Sequence, residues 1–269
     1  MLITDGENDM MLDVAIDAAR QAGTFLKERV GQVRGIETKA GNVRDLVSEI
    51  DRASEQKIIS IIKSRYPDHA ILAEETGGGV DAVEYRWVID PLDGTINYIH
   101  GVPVFCVTIA LEHKGEIIAG VVYDPNLGEL FTAEKGKGAF LNGKQIHVSH
   151  TRDLINSLLV TGFPYDIAKN PDNAVEHFVH FLDEARGIRR LGSAALDLSY
   201  VAAGRFDGFW VVSLNPWDMA AGMLFVHEAG GRVTDFTGGP SSIYRKQILA
   251  TNGVIHEAML RVLAKAMTE

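Results

Sequence analysis

The sequence predicts a protein of mixed α and β structure in two halves of different texture. Residues 1–150 form an α+β half built on an antiparallel meander, and residues 151–269 form an α/β half. Three observations carry this. Between residues 104 and 147, apolar runs are separated by hairpin signals at His113-Lys114-Gly115, Asn126-Leu127-Gly128 and Asn142-Gly143. Beyond residue 150, short β-branched runs alternate with helical patterns. A strand over 86–89 runs straight into Asp90-Pro91-Leu92-Asp93-Gly94-Thr95, so acidic groups collect where a sheet stops.

Taken in order, Leu12, Ile16, Ala19, Gly23, Leu26 and Val30 recur at steps of four and three, the stripe of an amphipathic helix with Asn8 or Asp9 as its cap. Residues 38–42 form a loop whose Lys39 is a solvated cation unless it reaches an anion site. Ser48 caps a second helix with Asp51 at its third position, and Ile58, Ile61 and Ile62 form the buried stripe up to Pro67. Asp51 reads equally well as the carboxylate of a capping box or as a catalytic group. Residues 70–73 form a short buried strand ending in Glu74-Glu75, followed by a flexible Thr76-Gly77-Gly78-Gly79 connection. Glu74 can thereby stand beside Asp90, while Glu75 reads as an exposed strand end.

Within the meander, Gly138 to Lys144 has the spacing of a nucleotide-binding P-loop, but Gln145 replaces the hydroxyl residue and Asn142-Gly143 makes a hairpin, which excludes it. In the second half, 158–160 is a strand, 171–185 a helix and 188–191 a strand. Gly192-Ser193-Ala194 opens a helix ending near Gly204, and 206–212 is a further strand. Asn215-Pro216-Trp217-Asp218 leads into a helix over 219–229, begun by Asp218 and closed by Gly230-Gly231. Asp218 alone would be a helix cap. Val233, a strand over 248–251 and a helix over 255–266 complete the chain.

With 46% hydrophobic and 23% charged residues, the 269-residue chain has the make-up of an ordinary globular protein. A formal net charge of −10 argues against nucleic acid as a partner, since binding it depends on Lys and Arg neutralising phosphates. The single cysteine, Cys106, excludes an internal disulfide and a thiolate zinc site, and its apolar neighbours mark a core thiol. The N-terminal residues lack the basic start and apolar core of a secretory signal, and no apolar run is long enough to span a bilayer. The expectation is a cytoplasmic protein without a membrane partner.

The acidic turn carries the chemistry. Pro91 turns Asp90 away from helix, and Gly94 permits a left-handed backbone just after Asp93. If Thr95 starts a helix, its free N–H groups and those of Gly94 make a phosphate site. Carboxylates and an anion repel unless cations sit between them, and a hard, oxygen-liganded Mg²⁺ reconciles the two. Taken alone, the same five residues also read as a polar turn.

Ala73-Glu74-Glu75, Trp87-Val88-Ile89-Asp90-Pro91-Leu92-Asp93-Gly94-Thr95-Ile96-Asn97 and Pro216-Trp217-Asp218-Met219-Ala220-Ala221-Gly222, with Glu228-Ala229-Gly230-Gly231, together resemble the inositol monophosphatase family. The resemblance covers nearly the whole chain, from the first helix to Ala250-Thr251-Asn252. It implies a five-layered αβαβα sandwich, a homodimer, and Mg²⁺-dependent, Li⁺-sensitive hydrolysis of phosphate monoesters with two or three ions in each site. By resemblance, Glu74, Asp90, Asp93, Asp218 and the carbonyl of Leu92 look like metal ligands. Asp51 and Thr95, with Glu74 beside them, look like the groups that orient and activate the attacking water. Lys39 looks like a residue just outside the ligand set, near a more weakly bound ion. Asp93, Gly94, Thr95, Gly192, Ser193, Ala194 and Asp218 would meet the substrate, Gly94 and Thr95 with backbone N–H groups at the phosphate and Gly192, Ser193 and Ala194 at the alcohol portion.

Two positions depart from the family pattern. Ile96 replaces a second Thr, and Val211 stands where inositol-selective members carry a Glu that holds ring hydroxyls. The resemblance therefore implies a phosphatase with myo-inositol 1-phosphate as default substrate and fructose 1,6-bisphosphate, singly or in a dual-specificity enzyme, as runner-up. Histidinol phosphate and nucleotide-type phosphates follow. A regulatory binding protein on the same scaffold is the rival from a different class.

Overall fold

The computed structural model describes residues 5–32, 36–38 and 46–266. Its helices are α1 (Asp5–Lys27), α2 (Glu49–Arg65), α3 (Thr95–Ile99), α4 (Ala174–Leu182), α5 (Ala194–Ala202), α6 (Pro216–Glu228) and α7 (His256–Ala266). Two short strands, β1 (Glu37–Thr38) and β2 (Leu46–Val47), pair antiparallel. A seven-stranded sheet takes β3 (Ala70–Ala73), β4 (Tyr85–Asp93), β5 (Cys106–His113), β6 (Glu116–Asp124), β7 (Glu129–Glu134), β8 (Gly138–Leu141) and β9 (Lys144–Ile146) in chain order. Only β3 and β4 run parallel within it, and the rest is the expected meander.

The remaining strands are β10 (Leu158–Thr161), β11 (Gly187–Arg189), β12 (Gly208–Val211), β13 (Arg232–Thr234) and β14 (Ile248–Thr251). They form a mixed sheet in the order β11-β10-β12-β14-β13, with β10 parallel to both neighbours and β14 antiparallel to both of its own.

Side-chain alternation explains the layering. On β5, Val107, Ile109 and Leu111 enter the core under α1 and α2, while Cys106 and Ala110 enter the core shared with α5 and α6. On β14, Ile248 and Ala250 face that same central core and Leu249 faces the core under α4 and α7. Both sheets are thus covered on both faces, which is why their strands read as continuous apolar runs. The layers α1/α2, sheet, α5/α6, sheet, α4/α7 make the αβαβα sandwich that the resemblance implies.

The central layer demands close approach. A Cβ on Gly222 of α6 would stand 2.5 Å from Leu198 Cβ of α5, and the run from Met219 to Val226 is buried throughout, as a helix packed on all sides must be.

Several boundaries differ from expectation. Asn8 and Asp9 lie inside α1 rather than at its start. The buried face of α1 is Met11, Ala15, Ala18, Ala19, Ala22 and Leu26, and Val30 falls beyond the helix end. The helix expected over 171–185 begins only at Ala174, since Asn170, Asp172 and Asn173 take left-handed backbone. Asp218 does not begin α6 but sits at its third position, behind Asn215 as cap and Pro216 in the first turn. Among the described residues, no helix is long and apolar enough to cross a membrane.

Candidate active site

β4 continues through Pro91 to Asp93 with a bulge against β5 between Asp90 and Asp93. Proline has no N–H to give the ladder, and the turn is held by other bonds. Leu92 N donates to Asp90 Oδ1 at 2.9 Å, and Ser54 Oγ on α2 donates to the Pro91 carbonyl at 3.0 Å. Gly94 caps α3 at φ 100°, and a Cβ there would stand 2.8 Å from the Val104 carbonyl oxygen, so left-handed backbone and lack of space both require glycine.

Asp51 is held on both of its carboxylate oxygens. Its Oδ2 accepts from Ser48 N at 2.9 Å and Ser48 Oγ at 2.5 Å, completing the capping box that starts α2. Its Oδ1 accepts from Thr95 Oγ1 at 3.0 Å. Thr95 Oγ1 also lies 3.1 Å from the Leu92 carbonyl, so one hydroxyl proton is shared between two acceptors. Both residues are buried.

Glu74, Asp90, Leu92, Asp93, Gly94, Thr95, Gly192, Ser193, Ala194 and Asp218, gathered from β3, β4, α3, α5 and α6, line one cavity of about 280 Å³. Burial pushes the Asp90 carboxyl well above the usual carboxylate range, and the charges of Glu74, Asp93 and Asp218 push it further the same way. Asp93 is raised as well, chiefly by burial, against the opposing hydrogen bonds from Ser193 Oγ at 2.6 Å and Ala195 N at 2.7 Å. Among the described residues, no three acidic, His or Cys side chains are already closed around one point as a metal cage. One oxygen of Asp90 is turned to Leu92 N, one of Asp93 to Ser193 and Ala195, and one of Asp218 to Asn215 N at 2.7 Å.

Several residues that support this cavity carry no sequence signal. Glu55, 1% exposed on α2, accepts from Glu75 N at 2.8 Å and Thr76 N at 2.9 Å, which fixes the turn that carries Glu74. Asn97 Nδ2 donates to the carbonyls of Val104 and Leu191, both at 2.8 Å, and ties the acidic turn to the strand before Gly192. Ser54, Glu55 and Asp197 look in sequence like polar positions on solvated helix faces, and only the fold turns them inward. Cys106 is the expected buried thiol, 3.6 Å from Ser193 Oγ, and burial holds its titration well above normal.

Val211 lines the same cavity from β12 as an apolar, buried side chain. Arg190 lines it as an exposed cation, whereas Arg189 and Lys246 do not. Lys39 lies outside the described residues.

A model of the inositol monophosphatase family matches residues 7–268. An inositol-1-monophosphatase of Synechocystis is 48% identical over 255 residues, covering 94% of this chain and 88% of its own length. Nus factor SuhB of Pseudomonas aeruginosa is 45% identical over 258 residues, covering 94% of this chain and 95% of its own. The solved structure of an inositol monophosphatase from Anabaena (Nostoc) superposes with a TM-score of 0.86 at 44% identity, over 96% of both chains.

Proposed function

Because the chain belongs to the inositol monophosphatase family, we propose that it hydrolyses phosphate monoesters of small polyhydroxy alcohols with Mg²⁺, myo-inositol 1-phosphate being the reference substrate. The observation that carries the reading is the Asp51–Thr95 hydrogen bond beside the carboxylates of Glu74, Asp90, Asp93 and Asp218 on one cavity. Glu74, Asp90, Asp93, Asp218 and the Leu92 carbonyl would hold two or three ions, for every one of these groups is an oxygen donor and Asp90 is destabilised as an anion by its neighbours. Bound there, Mg²⁺ supplies the positive charge against which phosphate and carboxylates can meet, and it lowers the pKa of water.

The chain's own residues do the rest. Thr95 Oγ1 gives its proton toward Asp51 Oδ1, which leaves an oxygen lone pair free to take a proton from the attacking water. Ser48 fixes Asp51 on its other oxygen, so the acceptor does not turn away. The first N–H groups of α3, at Gly94 and Thr95, offer donors to phosphate oxygens. As water bonds to phosphorus, the bond to the alcohol oxygen breaks on the opposite side, and that oxygen takes a proton from solvent water to leave as the free alcohol while the proton passed to Asp51 returns to solvent. Gly192, Ser193 and Ala194 border the alcohol portion.

Valine at 211 cannot pair with a hydroxyl, which supports a permissive site that also accepts fructose 1,6-bisphosphate, with Arg190 as the cation for a second phosphate. A cavity of about 280 Å³ favours such small esters over nucleotide-type substrates. α4 exposes Val175, Val179 and Leu182 in an apolar stripe, which supports a homodimer and is checked by light scattering on the purified protein. The relative named as a Nus factor favours a second reading, a binding scaffold without catalysis. That reading expects lost acidic ligands, and Glu74, Asp90, Asp93 and Asp218 are all retained.

The test is phosphate release from a sugar-phosphate panel with Mg²⁺, with excess EDTA, and with added Li⁺. Turnover should vanish in EDTA, return with Mg²⁺ and fall with Li⁺. Full turnover in EDTA would sink the metal-dependent reading.

A further inference from the structure

We propose that Asp197 determines specificity by accepting a hydrogen bond from a hydroxyl of the substrate's alcohol portion. The inference deepens the phosphatase reading and rests on it.

Asp197 lies in the first turns of α5, three residues after Ala194, and both line the cavity. It is 2% exposed, and its Oδ1 is buried without a hydrogen-bond partner among the described residues. Four other acids of the site have protein donors. Asp51 has Ser48 and Thr95, Asp90 has Leu92 N, Asp93 has Ser193 and Ala195, and Asp218 has Asn215 N. Packing gives no reason for an acid at 197, since Ala195, Leu196 and Leu198 around it belong to the central apolar core. A buried acceptor without a donor costs stability, and in a site wall it is retained where a ligand brings the donor.

The chemistry of that donor follows from the surroundings. β12 lines the cavity with only the apolar side chains of Phe209 and Val211, so α5 and not β12 provides the side-chain acceptor for the non-phosphate end. Arg190, the cation nearest Asp197 at the cavity wall, is spread over the Phe163 ring with 5.9 Å from guanidinium carbon to ring centroid. Burial and the charge of Asp93 raise the Asp197 titration while Arg190 opposes them; with Oδ1 unpartnered in a residue that lines the cavity, a hydroxyl of the ligand can supply the missing hydrogen bond. A buried polar group left unpaired by the wrong ligand discriminates strongly, so a polyhydroxy ester gains over one without hydroxyls.

The test compares kcat/KM for myo-inositol 1-phosphate with that for p-nitrophenyl phosphate, an ester without hydroxyls, in wild type, Asp197→Ala and Asp197→Asn. The inositol-to-nitrophenyl ratio should fall at least tenfold in Asp197→Ala, mainly through KM, and less in Asp197→Asn, whose amide oxygen still accepts. Ligand-free melting temperatures of both variants should match or exceed wild type, and if one variant fails to fold the other decides. A ratio constant within twofold overturns the proposal. If the wild type hydrolyses neither ester with Mg²⁺, the phosphatase reading falls and calorimetry judges Asp197. Its variants must then lose at least tenfold more affinity for inositol 1-phosphate than for inorganic phosphate, and an equal loss overturns the proposal.

Discussion

Asp51 and Thr95, 44 residues apart in the chain, meet at 3.0 Å between the Asp51 carboxylate and the Thr95 hydroxyl. One comes from the start of α2 and the other from the start of α3, so two helix N-termini converge on the proposed water. Replacing Thr95 by Ala should lower kcat by about 10²- to 10⁴-fold, the usual weight of a positioned proton acceptor, with little change in KM. Thr95→Ser keeps the hydroxyl and should stay within about tenfold of wild type. Steady-state kinetics at saturating Mg²⁺ decide it, and an active Thr95→Ala enzyme removes the pair from the mechanism.

Burial, and then the charges of Glu74, Asp93 and Asp218, make Asp90 costly to ionise. Its folded pKa is raised, so between the ordinary carboxylate value and the raised one the native state binds more protons than the unfolded state. Metal-free stability from this group therefore falls as pH rises through that window. Asp90→Asn should flatten the dependence and leave melting in EDTA level or higher at pH 8, while abolishing stabilisation by Mg²⁺. Scanning both proteins in EDTA upward from the ordinary carboxylate range makes the comparison. Identical slopes would show that Asp90 does not titrate as described.

Glu55 tests whether Glu74 depends on support from α2. Glu55→Ala leaves the Glu75 and Thr76 N–H groups without their acceptor and should cost about 1–3 kcal/mol of stability. It should also raise the Mg²⁺ concentration for half-maximal activity by about tenfold or more, as loss of a ligand's hydrogen-bonded support usually does. A Mg²⁺ titration of activity checks this. An unchanged midpoint in a destabilised variant limits Glu55 to the fold.

Val211 sets the breadth of the site. Wild-type kcat/KM values for inositol 1-phosphate and fructose 1,6-bisphosphate should lie within about a hundredfold, roughly 2.7 kcal/mol. Val211→Glu should move the ratio toward inositol. A wild type that cleaves the monophosphate well and the bisphosphate not at all contradicts the permissive wall.

What the sequence determined by itself is what neighbouring residues settle between them. The Ser48–Asp51 capping box, the Asn142-Gly143 hairpin and the left-handed Gly94 after Asp93 depend on backbone geometry within a few residues, and each formed as read. The boundaries that moved lie where a neighbouring residue outbid the one expected to act, as when Asn215 took the cap expected of Asp218 and left it to face the cavity from the third position of α6. Tertiary structure alone decided which polar side chains turn inward. Ser54 and Glu55 on α2 and Asp197 on α5 became buried because the sheets and the central helix layer closed over them. No local pattern encodes that, for a carboxylate on a helix face reads the same in sequence whether water or another layer of the fold lies opposite it.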